Sequence, residues 1–432
     1  MRVQLRPRPW LAAVAIATSY AGAAHAQAPT QPAEDAAPTP PAPPAPPPEP
    51  AEPPPPPSAR PEEAPPPPVA RSINVRATSE VSAYADSDHV YVVTPTIAAS
   101  VVNPTAGWSV NGRYLVDVVS AASVDIVSTA SRRWEEIRHV GSADVEYKPG
   151  EWGFRGSANV SSEPDYLSVT GGAAVVKDMM DKHITLLGGY SYGHDIGGRT
   201  GTSWSLFNRI LDRHALKLGG TFILNRTTVA SVVVDTIFER GDPSKPYRYV
   251  PLFAPGVDVP KGASPSLVNQ LRLSSRPLEQ LPLSRDRLAL SGRIAHRIEP
   301  VTLRADERLY GDTWAMVAST TDLRAVFDVS RRVELGPHVR FHVQKAVSFW
   351  QRAYVLNPGF DYPALRTGDR ELGPLWSATG GGSLRWKVGA SEHPESFVLG
   401  FDANLTTTQY LDDIYLTNRI SGIGAFTLEM EL

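Results

Sequence analysis

The sequence of 432 residues contains no cysteine. This absence excludes disulfide bonds, thiolate metal sites and a lipid anchor on an N-terminal cysteine. A chain without thiols also suits a protein that passes through an oxidising compartment such as the bacterial periplasm.

Other absences narrow the class of protein. After the N-terminal segment, no apolar run approaches the roughly 20 residues that a transmembrane helix needs. The formal net charge of -3 gives no excess of positive charge, so we expect no nucleic-acid partner. No zinc or haem motif is present, and the Gly-rich run at 193–202 lacks the spacing of a phosphate-binding loop. We therefore expect no cofactor of these classes.

The first residues have the three parts of a secretory signal peptide. Three arginines open the chain, an apolar core covers 10–17, and Ala24-His25-Ala26 is an A-x-A cleavage site. We predict a signal peptide over residues 1–26.

Proline then dominates the sequence up to the first predicted strand. It occupies 21 of the positions from 28 to 70, out of 41 prolines in the whole chain. Such a segment lacks backbone donors and apolar surface, so we predict an extended, disordered tether over 27–72. At about 3.1 Å per residue it reaches on the order of 130 Å. Its sequence leaves open whether it is an inert spacer or contacts the cell wall or another periplasmic partner.

Beyond residue 72 the dominant pattern is alternation of apolar and polar residues. In 397–410, Phe397, Leu399 and Leu405 fall on one face, whereas Asp402 and Thr406 fall on the other. This period of two predicts strands with one apolar face. Sixteen segments of this kind are found, at 73–85, 89–102, 106–120, 133–147, 152–162, 166–176, 182–194, 212–224, 228–239, 285–296, 301–311, 314–329, 333–350, 376–388, 397–410 and 418–432.

The connections between these segments differ in length. Some are tight turns such as Asn103-Pro104-Thr105 and Lys148-Pro149-Gly150, whereas 240–284 and 351–375 are long. Short turns at one end and long loops at the other are typical of outer-membrane barrels. We predict an all-β fold: a transmembrane antiparallel up-and-down β-barrel of about 16 strands (14–18 possible) over 73–432, preceded by the disordered Pro-rich segment.

A secreted β-sandwich is the soluble alternative, since its strands also alternate. Globular strands are usually about 5–6 residues long, much shorter than these segments. Aromatic residues near the segment ends also favour a barrel, because membrane barrels carry aromatic girdles at both interfaces. The girdle candidates are Trp108, Tyr147, Trp152, Tyr190, Tyr192, Trp314, Trp350, Trp376 and Tyr410.

The last segment, RISGIGAFTLEMEL, alternates up to the chain end. It resembles the final strand that the barrel-assembly machinery reads, although the usual terminal aromatic residue is missing. We expect this machinery, outer-membrane lipid and lipopolysaccharide as partners, and the outer membrane of a Gram-negative bacterium as the location, with the tether in the periplasm.

Two phrases resemble an uncharacterised family of Gram-negative outer-membrane β-barrels, a domain of unknown function. One is the Asp/Ser/Ala-rich phrase VDVVSAASVDIVSTAS at 116–131, within 106–138. The other is Pro246-Tyr247-Arg248, within GDPSKPYRYVPLF at 241–253. The resemblance implies the barrel architecture, and it implies no activity.

Charged residues on the polar faces are candidates for the lumen. A wide barrel lined by Arg rungs favours the passage of anions, unless a loop such as 240–284 folds inward and plugs it. The candidates are Arg113, Asp117, Arg155, Lys217, Asp235, Arg293, Arg304, Asp306, Arg308, Arg340 and Asp402.

Acidic residues in the predicted outer loops and in the repeated phrase are candidate calcium ligands. Asp86 and Asp88 lie in the first outer turn, Asp412 and Asp413 in the last outer loop, and Asp117 and Asp125 in the repeated phrase. Carboxylate oxygens suit Ca²⁺, but Asp side chains also cap turns or bridge to lipopolysaccharide through cations.

The function predicted is porin-like passive passage of small solutes or envelope organisation, without covalent catalysis. A plugged barrel acting as a surface receptor or adhesin is one alternative. The other is an omptin-like protease, which would use the rim carboxylates with His89.

Overall fold

The computed structural model describes residues 73–121, 134–357, 359, 361–390 and 394–431. The predicted signal peptide, the predicted tether and Asp125 lie outside the described residues.

Sixteen long antiparallel strands form one closed barrel. Their number and positions confirm the sequence prediction. The strands are β1 (Asn74–Asp86), β2 (Val90–Asn103), β3 (Trp108–Ala121), β4 (Trp134–Tyr147), β5 (Trp152–Glu163), β6 (Tyr166–Met179), β7 (Ile184–Gly197), β8 (Arg209–Asn225), β9 (Thr228–Gly241), β11 (Ser284–Ile298), β12 (Val301–Asp312), β13 (Val317–Asp328), β14 (Val333–Gln344), β16 (Leu375–Lys387), β17 (Phe397–Tyr410) and β18 (Asn418–Glu431).

Each barrel strand pairs with the next barrel strand along the chain, which is the up-and-down topology. The first strand then pairs with the last, in a register that runs from Arg76↔Glu431 to Asp86↔Ser421. Closure leaves no free sheet edge, which is how a barrel pairs its backbone groups within lipid.

Two further strands of two residues each lie outside the barrel. Strand β10 (Leu252–Phe253) and strand β15 (Tyr354–Val355) pair in parallel. One short helix, α1 (Pro265–Leu271), begins after Ser264, whose side chain caps it. Among the described residues, no helix is long and apolar enough to cross a membrane.

The outer face of the barrel is apolar along most of its height. Large side chains such as Ile97 (61 % exposed), Leu218 (63 %) and Leu405 (62 %) point away from the lumen. A soluble protein rarely exposes contiguous apolar surface of this extent, whereas a membrane barrel requires it. The alternation seen in the sequence therefore separates a lipid-facing set from a lumen-facing set.

The two ends of the barrel differ as the sequence predicts. One end carries short turns, at 104–107, 148–151, 180–183, 226–227, 299–300 and 329–332, together with 388–396. The other end carries the two long connections 242–283 and 345–374. We call it the outer end, because outer-membrane barrels have long loops outside and short turns in the periplasm.

Part of the predicted aromatic girdle is wrong. Trp314 and Tyr410 are 4 % and 1 % exposed, and Trp350 packs beside Trp314. Strand β14 also ends at Gln344, so Val347, predicted to lie on a strand, is buried in a loop. These side chains lie at the outer end, where the long connections cover them. By contrast, exposed girdle candidates, including Tyr147 and Trp152, lie on the outer face.

The junction between β9 and the following connection depends on Gly241. Its φ is +120°, and a Cβ there would lie 2.1 Å from the Ile210 carbonyl oxygen. A side chain is therefore excluded by backbone conformation and by space.

We predict that Gly241→Ala lowers the free energy of unfolding by about 1–3 kcal/mol, because it forces strained backbone and a clash with β8. Urea titration of the refolded barrel in detergent, followed by tryptophan fluorescence, measures this change. Gly112→Ala is the matched control, since a Cβ at Gly112 meets nothing within 4 Å. Equal unfolding curves for the two variants would contradict the prediction.

Candidate functional site

The lumen wall holds all eleven side chains predicted to line it. Nine of them lie at positions whose parity is opposite to that of the exposed apolar residues on their strands. The register partners Lys217 and Asp235 likewise have the opposite parity to the nearby exposed residues Leu216, Leu218 and Val232. On β3, for example, Val110 and Tyr114 are exposed on the outer face, while Arg113 and Asp117 point inward. Their part in solute passage stays a prediction.

Nine of the inward charges form a continuous ladder across β8, β9, β11, β12, β13 and β14. Register pairs join Lys217 to Asp235, Arg293 to Asp306, Asp306 to Asp322, and Asp322 to Arg340. The remaining members are Arg304, Arg308 and Arg324.

Ion pairs connect most of the ladder. Lys217 Nζ lies 3.4 Å and Arg308 Nη1 3.2 Å from Asp235. Arg304 Nε lies 2.6 Å from Asp306, which also pairs with Arg293. Arg324 Nε lies 3.1 Å from Asp322.

The ladder has more positive than negative charges, and water reaches it. Six cationic side chains face three carboxylates, which leaves a surplus of three positive charges. Arg308 and Arg324 are 46 % and 43 % exposed although they point inward. Exposed pairs contribute little to stability, so the ladder acts chiefly through its electrostatic potential.

The opposite wall combines hydroxyl groups with ion pairs. Strands β1, β2 and β5 direct side chains such as Ser82, Thr96, Ser100 and Ser157 inward. Asp117 pairs there with Arg138, and Arg155 pairs with Glu146. The lumen therefore has the ladder on one wall, and hydroxyl groups together with ion pairs on the other.

Sequence reasoning missed Asp322 and Arg324 as members of the ladder. Both lie in the predicted strand 314–329 at even positions, opposite the exposed Leu323. The same alternation rule applied to this segment identifies them.

The two long connections fold together at the outer end into one layer, which we call the cap (242–283 and 345–374). The parallel pair β10–β15 joins its two halves. Around that pair, Phe253, Val259 and Val268 pack with Ile414 from the β17–β18 connection. The cap thus has an apolar core of its own.

A buried ion triad ties the halves of the cap to each other. Arg248 Nη1 lies 2.7 Å from Asp369 Oδ2 and 3.2 Å from Glu279 Oε1. Glu279 is fully buried and also accepts hydrogen bonds from the Lys245 amide and the Thr367 hydroxyl. A buried carboxylate is tolerated only with such partners.

The charges of the triad also affect its pKa values. Burial by itself lowers the pKa of Arg248, but the negative charges of Asp369 and Glu279 raise it overall. The guanidinium therefore stays charged at any pH that the protein meets. Nearby, burial raises the pKa of Tyr354 to about 12, and its hydroxyl donates to the Phe349 carbonyl.

Tyr247 anchors the cap to the barrel rim. Its hydroxyl donates to Asp165 in the β5–β6 turn (2.8 Å) and accepts from the Thr200 amide in the β7–β8 connection (2.5 Å). Burial and the hydrogen bond to Asp165 raise the pKa of Tyr247. In the phrase Pro246-Tyr247-Arg248, Tyr247 thus contacts the rim and Arg248 belongs to the triad.

Other contacts attach the cap around the rest of the rim. Arg370 pairs with Asp88 in the β1–β2 turn (2.7 Å), and Arg352 pairs with Asp412 in the β17–β18 connection (2.8 Å). Val347 packs against Trp314 in the β12–β13 connection. With Tyr247, the cap contacts every connection of the outer end that the structure describes. It therefore spans the mouth of the barrel.

These contacts also show what the predicted metal ligands do. Asp117 accepts from Thr94 and pairs with Arg138, so it links β2, β3 and β4. Asp86 accepts from the amides of the first outer turn, and Asp413 accepts from those of Tyr415 and Leu416. Calcium binding at these positions stays a prediction. At this rim Asp88 pairs with Arg370 and Asp412 with Arg352, so each of these two carboxylates holds the cap.

A different group of carboxylates converges at the outer rim. Glu136 on β4, Glu163 on β5 and Asp165 in the next turn each offer an oxygen within 4.8 Å of the others. Oxygen clusters of this kind suit hard cations. No sequence motif identifies this group of carboxylates, because only the pairing of strands brings residue 136 close to 163 and 165.

A closed barrel with an apolar exterior and a charged, hydrated interior defines the protein as a transmembrane β-barrel of the outer-membrane type. A family model described as a protein of unknown function (DUF3570) matches residues 211–396. The match contains Pro246-Tyr247-Arg248 and confirms the resemblance to a family of unknown function, whereas 106–138 lies outside it. Among curated proteins, none matches this sequence.

Several solved structures align with the chain at low identity. A bacterial polysaccharide outer membrane secretin does so with a TM-score of 0.44 and 9 % identity, over 83 % of this chain and 98 % of that one. OccK5 (OpdH) from Pseudomonas aeruginosa gives 0.38 and 9 %, over 83 % and 98 %. The siderophore receptor PirA from Pseudomonas aeruginosa gives 0.40 and 12 %, over 83 % and 65 %.

We predict that Arg248→Met loosens the cap, because it leaves the Glu279 charge buried without its main partner. Removing one member of a buried pair costs about 3–5 kcal/mol. Hydrogen exchange followed by mass spectrometry is expected to speed up in both halves of the cap, while the barrel strands keep their protection. Lys261→Met, at an exposed cap position, is the control. Unchanged exchange in 345–374 would mean that the triad does not join the two halves.

Proposed function

We propose that this protein is a diffusion channel of the outer membrane for small anionic solutes, with a cap that restricts its mouth. The observation that carries the proposal is the hydrated ladder, with its surplus of three positive charges on one wall of the lumen. A positive wall raises the local concentration of anions and lowers that of cations. No step of this function needs a nucleophile, an acid–base pair or a cofactor.

A barrel of sixteen strands is wide enough for this role. Barrels of this size leave an aqueous channel when no segment fills them. The exposure of inward-facing Arg308 and Arg324 supports a lumen that contains water at the height of the ladder. The opposite wall offers hydroxyl groups, such as those of Thr96 and Ser100, that exchange hydrogen bonds with a passing solute.

The cap supports a second candidate, a surface receptor with a closed barrel. Its apolar core and buried triad give the mouth a folded covering. A receptor of this kind binds its ligand at the outer surface and conducts no ions when the ligand is absent.

The chain context is part of the proposal. The apolar exterior suits lipid and lipopolysaccharide as partners. Because the number of strands is even, the first strand begins and the last strand ends on the short-turn side of the barrel. The Pro-rich tether would then lie in the periplasm, where it reaches toward the cell wall.

We predict single-channel steps in planar bilayers, with a reversal potential in a KCl gradient that indicates preference for chloride. Arg340→Glu is expected to shift that potential toward cation preference, because it changes the charge of the ladder by two units. Arg340 suits this test because, in the described structure, no ion pair within 4 Å holds it.

Arg331→Glu is the matched control, since it makes the same charge change in an exposed short turn. A shift of equal size in the control would show that the ladder does not set selectivity. A barrel that stays silent, alone and with Arg248→Met, would remove the channel and favour the receptor.

A further inference from the structure

The carboxylate of Glu307 lies on the lipid-facing side of the barrel. On β12 the odd positions face outward, as Leu303 and Leu309 show with exposures of 46 % and 51 %. Glu307 has the same parity and lies between them. It is therefore flanked along its strand by lipid-facing leucines, away from both ends of the barrel.

Two hydroxyl groups of the neighbouring strand hold this carboxylate. Ser319 Oγ donates to Glu307 Oε1 (2.7 Å), and Thr321 Oγ1 donates to Oε2 (2.5 Å). Thr321 is the register partner of Glu307 on β13. We call Glu307, Ser319 and Thr321 the Glu307 patch.

The patch has an open space on one side and an apolar ring around it. Gly292 on β11 is the other register partner of Glu307, and a Cβ there would meet nothing within 4 Å. The surrounding lipid-facing side chains are 40–51 % exposed: Leu290, Ile294, Leu309, Leu323, Phe341 and Val343. Within a membrane, a polar centre among apolar side chains is typical of a contact between proteins, because polar groups there hydrogen-bond to a partner.

Hydrocarbon is a poor environment for such a centre. Lipid tails offer no hydrogen bonds, so ionisable side chains within a membrane usually face a protein partner or water. The leucines above and below keep lipid headgroups away from Glu307. A partner embedded in the membrane is therefore the physical complement of the patch.

The geometry of the patch makes a second copy of this chain that partner. A twofold axis along the membrane normal, passing between β12 and β13, exchanges left and right across the contact. Glu307 of one copy then faces Thr321 of the other at the same height, and the two carboxylates do not face each other. The patch supplies both acceptors and donors, which is what an isologous contact requires.

We propose that the Glu307 patch is the interface through which two copies of this protein associate within the membrane. Its apolar ring packs against the ring of the other copy, and the open space at Gly292 admits side chains of the second barrel. The proposal is independent of whether the lumen conducts.

Cross-linking in intact outer membranes tests the interface. The chain has no cysteine of its own, so only the introduced thiol reacts. Ala305 is the lipid-facing residue next to Glu307 on β12, and A305C treated with a short thiol-reactive cross-linker is expected to give a dimer. A99C is the matched control, because Ala99 faces lipid on β2, on the far side of the barrel. Equal products from A305C and A99C, or a product that mass spectrometry identifies as another protein, would overturn the proposal.

Substitution of Glu307 shows whether the cross-link depends on the polar contact or only on the closeness of two barrels. E307L in the A305C chain is expected to lower the cross-linked fraction by about tenfold, as the loss of a polar contact in a membrane does. E307Q, which keeps hydrogen bonding, is expected to retain the dimer. E307L is compatible with folding because leucine suits a lipid-facing position, and the mobility shift on heating checks that each barrel is folded. A dimer unchanged in E307L would overturn the role of the patch.

Discussion

The need to pair every backbone N–H and C=O in lipid determines the rest of this structure. Closure of β1 on β18 meets that need, since it removes the last free edge of the sheet. Closure with antiparallel neighbours requires an even number of strands, and it places both termini at the same end. Because side chains alternate along each strand, closure also divides them into a lipid-facing and a lumen-facing set. The other features of the molecule follow from which residues fall in which set.

The alternation that divides the side chains is local in sequence, which is why the barrel is predictable from sequence alone. Alternation in 397–410 needs only neighbouring residues to be visible, and strand β17 has the bounds that it predicts. The lumen position of Arg293 and Asp306 follows from the same rule. Their pairing follows from the short turn at 299–300, which sets the register of β11 with β12.

The cap is not predictable in this way because its contacts are distant in sequence. Arg248 meets Glu279 and Asp369 across 31 and 121 residues, and no periodic pattern marks the three as partners. The failure of Trp314 and Tyr410 as girdle residues has the same origin. An aromatic residue at a strand end gives the same sequence pattern whether lipid or a folded loop lies beside it. Only the tertiary position of the cap decides between them.

Parity also gives neighbouring charged residues different physical environments. Arg308 and Glu307 are adjacent on β12, yet the first faces water in the lumen and the second faces lipid. In water a charge interacts weakly with its neighbours and acts through its long-range potential. In hydrocarbon the same charge needs a specific partner at hydrogen-bonding distance. A shift of one residue in register would exchange the two, so pairing fixes the chemistry of both surfaces.

The same contrast separates the cap from the ladder. Glu279 is fully buried and held by several donors, and separation of the two halves would remove its Thr367 donor and break the Arg248–Asp369 pair. The cap contacts the rim at Asp88, Asp165 and Asp412 as well, which makes small independent movements of one half unfavourable. The ladder, in contrast, contains pairs whose cationic side chains are 32–46 % exposed, so they rearrange at lower cost. In the proposed channel, the cap would therefore govern access to the lumen from outside as a cooperative unit, and the ladder would discriminate among solutes.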